Sequence, residues 1–248
     1  MSFPAIPPTL RSKLINPSME KTSPTGLYNK DPQSSTLGQN LLKESAKILA
    51  EEGFDTFTLK KLAQNLQTTE SSVYRYFDNK HRLLVYHVNF YWDWLVNQVE
   101  ITCCQTGMSG HTAIYKVFEI MCFPSNYSWP SEQIDYECMH KILTHQSVKA
   151  YFSQHVDLEN REGAHIALKK LVNQMGLWLS EDLKEFEFPK TLVTTLLNAV
   201  MMQPFYAEHL PSLTELPAPN STSSQTAQQT YRYVCQIIER LTTQPRTV

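Results

Sequence analysis

The residues whose types and spacing could do chemistry lie between Thr58 and Leu84. Within this stretch Glu70, Ser71, Ser72 and Arg75 fall near the start of one short predicted helix that follows a tight turn. Hydroxyl groups hydrogen-bond base edges or phosphates, and a guanidinium can hold a guanine through two parallel hydrogen bonds. A short helix offered by a tight turn can enter the major groove of DNA with its N-terminus first. The stretch therefore predicts a surface that contacts double-stranded DNA.

Groups suited to phosphate contacts flank these residues. They carry hydroxyl or ammonium groups on the preceding helix, on the short helix itself or at the start of the next helix: Thr58, Lys60, Tyr74, Tyr76 and Lys80. Five basic residues stand against two acidic ones from Thr58 to Arg82, although the whole chain has a net charge of −2. A locally basic head attached to an acidic body fits this distribution of charge.

The elements that must position these residues are helices with recognisable ends. Apolar residues at helical spacing predict a first helix from Thr36 to Glu52, with Gly53 just beyond its C-terminus. Thr58 is a typical N-cap for a second helix, and Thr69 for a third helix over Glu70–Phe77. The three helices together predict a helix-turn-helix head.

A long fourth helix is predicted to join this head to the rest of the chain. Asn79 caps it, it begins at Lys80, and apolar residues continue along it to about Ile101, so it should pack on the head first and on a body afterwards. Seven glycines in 248 residues favour helices over hairpins. Periodicity and prolines predict further helices at 111–122, 131–144, 147–155, 158–183, 190–210 and 223–243. We therefore expect an all-α fold.

The run LAQNLQTTESSVYRYFDNKHRLL contains Leu-Ala, a pair of serines and the pattern Tyr-x-x-Phe-x-x-Lys-x-x-Leu from Tyr74 to Leu83. This spacing resembles the helix-turn-helix of TetR-family (tetracycline-repressor-like) transcriptional regulators, over about residues 37–85. The resemblance implies a DNA-binding domain at 36–84 and a body at 85–248 that holds a ligand cavity. It also implies a homodimer built on the last two helices, and a ligand that moves the connector helix and changes the spacing of the two heads.

The turn departs from the family pattern, which usually has a glycine followed by an apolar residue. Here those positions are Gln67 and Thr68, so either Gln67 adopts a positive φ at a cost of about 1 kcal/mol or the turn differs from that of the family. Glu70 would repel phosphate. These departures leave a rival open: a helical ligand-binding or protein-interaction protein whose head no longer binds DNA specifically.

Residues 1–35 are rich in proline and polar residues and lack an apolar period, which predicts a flexible N-terminal arm. The arm is slightly basic. It either has no role or contacts DNA phosphates or a groove as an accessory arm. Met19 could also be the true start of the chain.

Large, adaptable apolar residues on successive helices of the body predict either core packing or a pocket for a small apolar ligand. The pocket candidates are Tyr115, Phe118, Met121, Tyr136, Met139, Met175 and Trp178. Stripes at helical spacing on the last two helices predict a dimer interface, with intrachain core as the alternative. The interface candidates are Leu192, Leu196, Val200, Phe205, Tyr233, Ile237 and Leu241.

The sequence lacks the signatures of several other classes of protein. Five cysteines without a C-x-x-C pair predict reduced thiols, and no apolar run is long enough for a signal peptide or a membrane span. His140 and His145 stand five residues apart, which places them on different faces of an α-helix, so no metal site and no cofactor are predicted. Nucleotide-binding and catalytic motifs are missing. From these absences we expect a cytoplasmic, non-enzymatic protein. The resemblance to TetR-family regulators implies that it binds a roughly palindromic operator and acts as a repressor.

Overall fold

The computed structural model describes residues 26–131, 134–218 and 223–243, and these residues contain helices and no strand. The head consists of α1 (Thr36–Thr56), α2 (Leu59–Asn65) and α3 (Glu70–Tyr74), and the connector is α4 (Lys80–Val99). The body contains α5 (Gly110–Cys122), α6 (Tyr136–Lys141), α7 (Ser147–Tyr151), α8 (Val156–Arg161), α9 (Ile166–Asp182), α10 (Pro189–His209) and α11 (Ser223–Thr243). The predicted all-α fold, with a helix-turn-helix head joined by a long helix to a helical body, is confirmed.

The helix ends of the head follow the predicted caps. The Thr58 hydroxyl accepts a hydrogen bond from the Lys61 amide at 3.1 Å, and Asn79 Oδ1 accepts one from the Arg82 amide at 2.9 Å. Each such cap satisfies an amide that lacks an intrahelical partner, and contributes about 1 kcal/mol. Gly53 adopts φ 80°, which interrupts α1 near its C-terminal end and turns the chain toward α2.

The end of the predicted flexible arm is part of the folded head. Leu27 is completely buried, and the Asn29 amide donates to the carbonyl oxygen of Tyr76 at 2.8 Å. The Asn29 side chain donates to the carbonyl of Tyr74 and to Asp78 Oδ1. The expectation of an arm that reaches residue 35 is therefore wrong for 26–35, because an apolar anchor and a polar cap hold this segment against the end of α3. The remainder of that arm, including Met19, lies outside the described residues.

Helix α4 packs along its whole length, as predicted for a connector. Leu83 and Leu84 at its start are fully buried, and so is Trp92 nearer its end, whose indole N–H donates to the Tyr151 hydroxyl. Twenty residues of α-helix span about 30 Å. One apolar core therefore runs from the head into the body along this helix.

The body differs from the predicted helices in two places. The predicted helix 158–183 is two helices, α8 and α9, separated by Gly163 at φ 94° and His165 at φ 68°. Gly163 was the sequence signal for this break. Helices α5, α9, α10 and α11 pack on one another to form the far part of the body.

The second difference is a turn of π-helix from Ile142 to Gln146, between α6 and α7. Another π-turn, Glu100–Cys104, follows α4. π-turns inside helices occur frequently at functional sites. No helix within the described ranges combines the length and hydropathy needed to cross a membrane.

Burial of His87 predicts an acid-sensitive fold. His87 is completely buried, and burial lowers its pKa to about 3. The unfolded chain takes up a proton on this histidine below pH 6.5, whereas the folded chain remains neutral until about pH 3. The free energy of unfolding should therefore fall as the pH drops from 6.5 toward 3, by at most about 1.4 kcal/mol per pH unit for this group.

Urea unfolding at pH 7.5, 6.0 and 5.0 measures this dependence. His87→Gln should reduce the fall in unfolding free energy, whereas His155→Gln, which changes an exposed histidine, should leave it unchanged. A His87→Gln variant with the same pH dependence as the wild type would contradict the assignment.

Candidate nucleic-acid interface

The turn before the recognition helix α3 has the strained backbone that the sequence predicts. Gln67 adopts φ 51°, in the left-handed region that a glycine would occupy without strain. Thr69 then caps α3: its hydroxyl accepts a hydrogen bond from the Ser72 amide at 3.3 Å, and lies 2.9 Å from the hydroxyls of both Ser71 and Ser72. These three hydroxyls form one polar group at the N-terminus of the recognition helix.

Most of the predicted DNA-binding side chains reach the solvent on the head. Glu70, Ser71, Tyr74 and Arg75 of the recognition region are exposed, and Ser72 is half-buried. On the preceding helix turn, Thr58 and Lys60 are exposed as well. The structure therefore leaves seven of the nine predicted residues accessible for a contact with DNA.

Tyr76 is a correction to this set. Only 4% of its surface is exposed, and its hydroxyl lies 2.7 Å from Ser35 Oγ. The hydrogen bond with Ser35 holds the pKa of Tyr76 below its ordinary value. Lys30 stands over its ring at 5.2 Å. Tyr76 was assigned to phosphate from its place in the motif, but in the fold its ring faces inward and fastens residues 26–35 to α3.

Lys80 is the second correction. Its ammonium donates to three main-chain carbonyl oxygens: that of Phe54 at 2.9 Å, that of Phe57 at 3.1 Å and that of Asp55 at 3.3 Å. It also stands 4.5 Å from the centre of the Phe54 ring. An ammonium has three donors, so all of them are used. Lys80 therefore holds the turn between α1 and α2 in place and does not contact phosphate.

Pairing reduces the positive charge that the head presents. Lys61 forms an ion pair with Glu52, and Arg82 lies 3.6 Å from Glu162 and 3.9 Å from Asp78. Of the five basic residues from Thr58 to Arg82, Lys60 and Arg75 alone make no side-chain hydrogen bond or ion pair with any described residue. These two cations remain available for DNA.

Body residues that the sequence did not single out contact the same turn of the head. Gln146 Oε1, at the end of the π-turn, accepts a hydrogen bond from the Phe54 amide at 3.2 Å. Lys149 Nζ lies 2.6 Å from Asp55 Oδ2 and 5.8 Å from the centre of the Phe54 ring. We call Gly53–Phe57, Lys80, Gln146 and Lys149 the junction. No local pattern marks Gln146 or Lys149, because their partners lie more than 90 residues away.

A cavity of about 170 Å³ lies in the body on the other side of the π-turn. Its lining consists of Met121, Cys122, His140, Lys141, Thr144, His145, Val200, Pro204, Glu208, Thr226, Ala227 and Thr230. Of the seven predicted pocket residues, Met121 lines this cavity. Phe118, Met139, Met175 and Trp178 are buried in the core, and Tyr115 and Tyr136 are half-buried away from it. These six do not line this cavity, because an apolar stripe alone does not distinguish core from cavity lining, and their place in a ligand pocket stays a prediction.

The residues predicted for the dimer interface fall into two groups, buried and accessible. Leu196 and Val200 are buried within the chain, with Val200 facing the cavity, so the alternative of intrachain core holds for both. Tyr233 is exposed. Four others are half-buried and keep part of their surface accessible: Leu192, Phe205, Ile237 and Leu241.

Replacement of Lys80 should show whether this residue stabilises the fold or contacts DNA. Lys80→Met keeps the side-chain length but removes three hydrogen bonds to a charged donor, so the free energy of unfolding should fall by about 1.5–3 kcal/mol. Lys60→Met is the matched variant: it should leave that free energy unchanged. It should weaken binding to all DNA sequences about equally and reduce the slope of log K against log salt by about 1.

Urea unfolding and fluorescence anisotropy with labelled duplex DNA at several salt concentrations measure the two effects. If Lys80→Met were as stable as the wild type and lost only DNA affinity, the junction role of Lys80 would be wrong.

Comparisons with known proteins agree with this geometry. The family model for bacterial regulatory proteins of the tetR family matches residues 41–86, which cover α1 after its first turn, α2, α3 and the start of α4. A search of curated proteins gave no match. Among solved structures, the chain resembles a proposed TetR-family transcriptional regulator from Syntrophomonas wolfei str. Goettingen. The TM-score is 0.55 at 11% identity, over 85% of this chain and 96% of that one.

At 11% identity the structural match establishes the fold alone. The family model concerns the head, since it matches residues 41–86. The match extends through the body, so the head and body share an arrangement with this structure. The resemblance predicted from the sequence is thus confirmed: residues 41–86, which contain the helix-turn-helix, match the family model for bacterial regulatory proteins of the tetR family.

Proposed function

We propose that this protein is a transcriptional repressor that binds a roughly palindromic operator as a homodimer and leaves it when a small ligand enters the body. In this proposal residues 36–84 contact DNA, and residues 85–248 bind the ligand and dimerise. The observation that carries it is the pairing of the cations from Thr58 to Arg82. Among the described residues Lys61, Lys80 and Arg82 have partners, while Lys60 and Arg75 are exposed and make no side-chain hydrogen bond or ion pair.

The exposed groups divide into two roles on DNA. Lys60 and Thr58 lie on the preceding helix, which suits phosphate contacts that set orientation without selecting sequence. Ser71, Ser72 and Arg75 lie on the recognition helix, where side chains reach base edges. A bidentate contact from Arg75 to guanine would contribute about 1–3 kcal/mol of discrimination. Among the described residues, two of the five cations from Thr58 to Arg82 have no side-chain partner, so we expect hydrogen bonding to bases to be the larger source of preference.

A homodimer fits the body. Helices α10 and α11 pack together and present partly exposed apolar side chains, among them Met202, Phe205, Tyr206 and Tyr233. A second copy that covers this surface would form an isologous interface of four helices. It would place the two recognition helices for half-sites one helical turn apart, about 34–36 Å, or a multiple of that distance.

The cavity supports a small ligand. Its volume of about 170 Å³ is close to the ~150 Å³ of cavities that bind benzene. Its wall is apolar on Met121, Val200 and Ala227, with threonine and histidine side chains on the side of the π-turn. The π-turn also carries Gln146, which hydrogen-bonds the head. A ligand that displaces the π-turn would therefore act directly on the junction.

Glu70 favours the rival function. It is exposed at the start of the recognition helix and would stand among phosphates. A head that tolerates this charge but no longer discriminates sequence would make the chain a ligand-binding or protein-interaction protein. Sequence preference, and not affinity alone, separates the two functions.

Arg75→Ala tests the base-reading role. It should weaken binding to the preferred operator and relax preference at one base pair per half-site, because the guanidinium reads one guanine. Selection of bound duplexes from a random pool, starting with DNA upstream of the gene, measures the preference. Lys60→Met is the control, since it should lower affinity without changing the selected sequence.

Two results would contradict the proposal. One is equal wild-type binding to the upstream DNA and to a scrambled duplex, with no sequence selected. The other is an Arg75→Ala variant that selects the same sequence as the wild type at every position.

A further inference from the structure

A cluster of potential metal ligands lies at the edge of the cavity. His145 Nε2 is 3.5 Å from Glu208 Oε2, and His209 Nε2 is 3.9 Å from Glu208 Oε1. One ligand atom from each of the three residues lies within 4.8 Å of the others. His145 and Glu208 also line the cavity, so the cluster is continuous with it.

Two elements that are distant in sequence bring these residues together. His145 belongs to the π-turn, and Glu208 and His209 form the last turn of α10. The ring of Phe205 packs against both histidines, at 5.4 Å from the centre of His145 and 4.6 Å from that of His209. This aromatic contact places both imidazoles beside one ring at the edge of the cavity.

The π-turn also overturns the sequence argument against a shared histidine face. Five residues separate His140 from His145, a spacing that an α-helix puts on different faces but a π-turn brings close together. Both side chains line the same cavity. His140 Nδ1 is buried and has no hydrogen-bond partner among the described residues. A buried imidazole nitrogen without a partner indicates that a polar ligand or water completes the site.

The hydroxyl of Thr144 contacts the imidazole of His145. It lies 2.9 Å from the carbonyl oxygen of His140 and 2.7 Å from His145 Nδ1. When the hydroxyl donates to that carbonyl, Nδ1 is the donor in the second contact, and Nε2 keeps the lone pair that a metal ion requires. Nε2 lies on the side of Glu208 and His209. A metal-binding histidine typically donates its other ring N–H to an oxygen in this way.

We propose that His145, Glu208 and His209 bind a divalent transition-metal ion such as Zn²⁺ at the edge of the cavity. Two imidazoles and one carboxylate suit Zn²⁺ and not Mg²⁺ or Ca²⁺, which take oxygen ligands. Tetrahedral ligands at about 2.0–2.1 Å from zinc stand about 3.4 Å apart. The exposed side chains of Glu208 and His209 can close the remaining distance by rotation. The fourth position faces the cavity and is open to water or to a ligand.

The ion would also regulate the head, a step that rests on the proposed function. It would fasten the π-turn to the last turn of α10. Gln146, the residue after His145, accepts the hydrogen bond from the Phe54 amide. Occupancy of the site would therefore fix the position of Gln146 and, through it, the turn between α1 and α2.

Isothermal titration of the full chain with Zn²⁺ at pH 7.5 tests the site. One ion per chain should bind, and excess Mg²⁺ should not compete. His145→Ala and His209→Ala should each weaken binding by more than about 100-fold, and Thr144→Val by about 10–100-fold. His155→Ala is the matched control, because it removes an exposed histidine outside the cluster, and should bind zinc as the wild type does.

His209 is exposed, so its replacement should leave the fold intact, and circular dichroism checks this for each variant. Two results would overturn the proposal: no zinc binding by the wild type, or wild-type binding by both His145→Ala and His209→Ala. A thiolate-to-metal charge-transfer band after substitution with Co²⁺ would also overturn it, since it would place the ion on cysteine.

Operator binding with and without zinc keeps this inference separate from the proposed function. A chain that binds the operator but not zinc refutes the metal site alone. A chain that binds zinc with these ligands but selects no DNA sequence refutes the repressor alone. Operator affinity that is the same with zinc-loaded and zinc-free protein refutes the regulatory step.

Discussion

The ammonium group of Lys80 is the interaction on which the arrangement of the head depends. It donates to the carbonyl oxygens of Phe54, Asp55 and Phe57, which follow the break at Gly53. A cation is also favoured at the C-terminal end of a helix. Because Lys80 is the first residue of α4, these bonds join the turn of the head directly to the connector.

The body contacts the same turn. Gln146 hydrogen-bonds the Phe54 amide, and Lys149 pairs with Asp55. The pair with Asp55 is largely exposed and contributes little to stability. The bond from Gln146 matters more, since it joins the head to the π-turn that forms one wall of the cavity. Head, connector and one wall of the cavity therefore meet at one junction of a few residues.

Interactions within the chain also determine which positive charges the head can offer to DNA. Lys61, Lys80 and Arg82 carry charge that the motif would assign to phosphate, but each is paired within the chain. Nonspecific attraction to DNA is then weaker than the sequence charge suggests, since it scales with the number of phosphates neutralised. Because three of the five cations from Thr58 to Arg82 are paired, this stretch relies more on hydrogen bonds to bases, and the polar N-terminus of α3 provides donors for them.

Local features of this structure could be predicted from the sequence. The caps Thr58, Thr69 and Asn79 and the positive φ of Gln67 depend on residues within a few positions of each other, and the all-α fold follows from periodicity. The partners of Lys80 lie 23–26 residues away, and that of Gln146 lies 92 away, so only the tertiary fold determines them.

The candidate sites in the body show the same limit. The π-turn has no signature in residue types, and it decides which histidines share a face. Leu196 and Val200 match an interface stripe as well as a core stripe, because the hydrophobic pattern specifies that a side is buried and not what buries it.

Hydrogen–deuterium exchange of the turn 53–57 tests the junction most directly. In the wild type the Phe54 amide should exchange slowly, because Gln146 accepts its proton. In Gln146→Ala the amides of the turn should exchange faster, while those of the core of α4 should keep their protection. Equal exchange of this turn in both proteins would contradict the junction and, with it, the path from the cavity to the head.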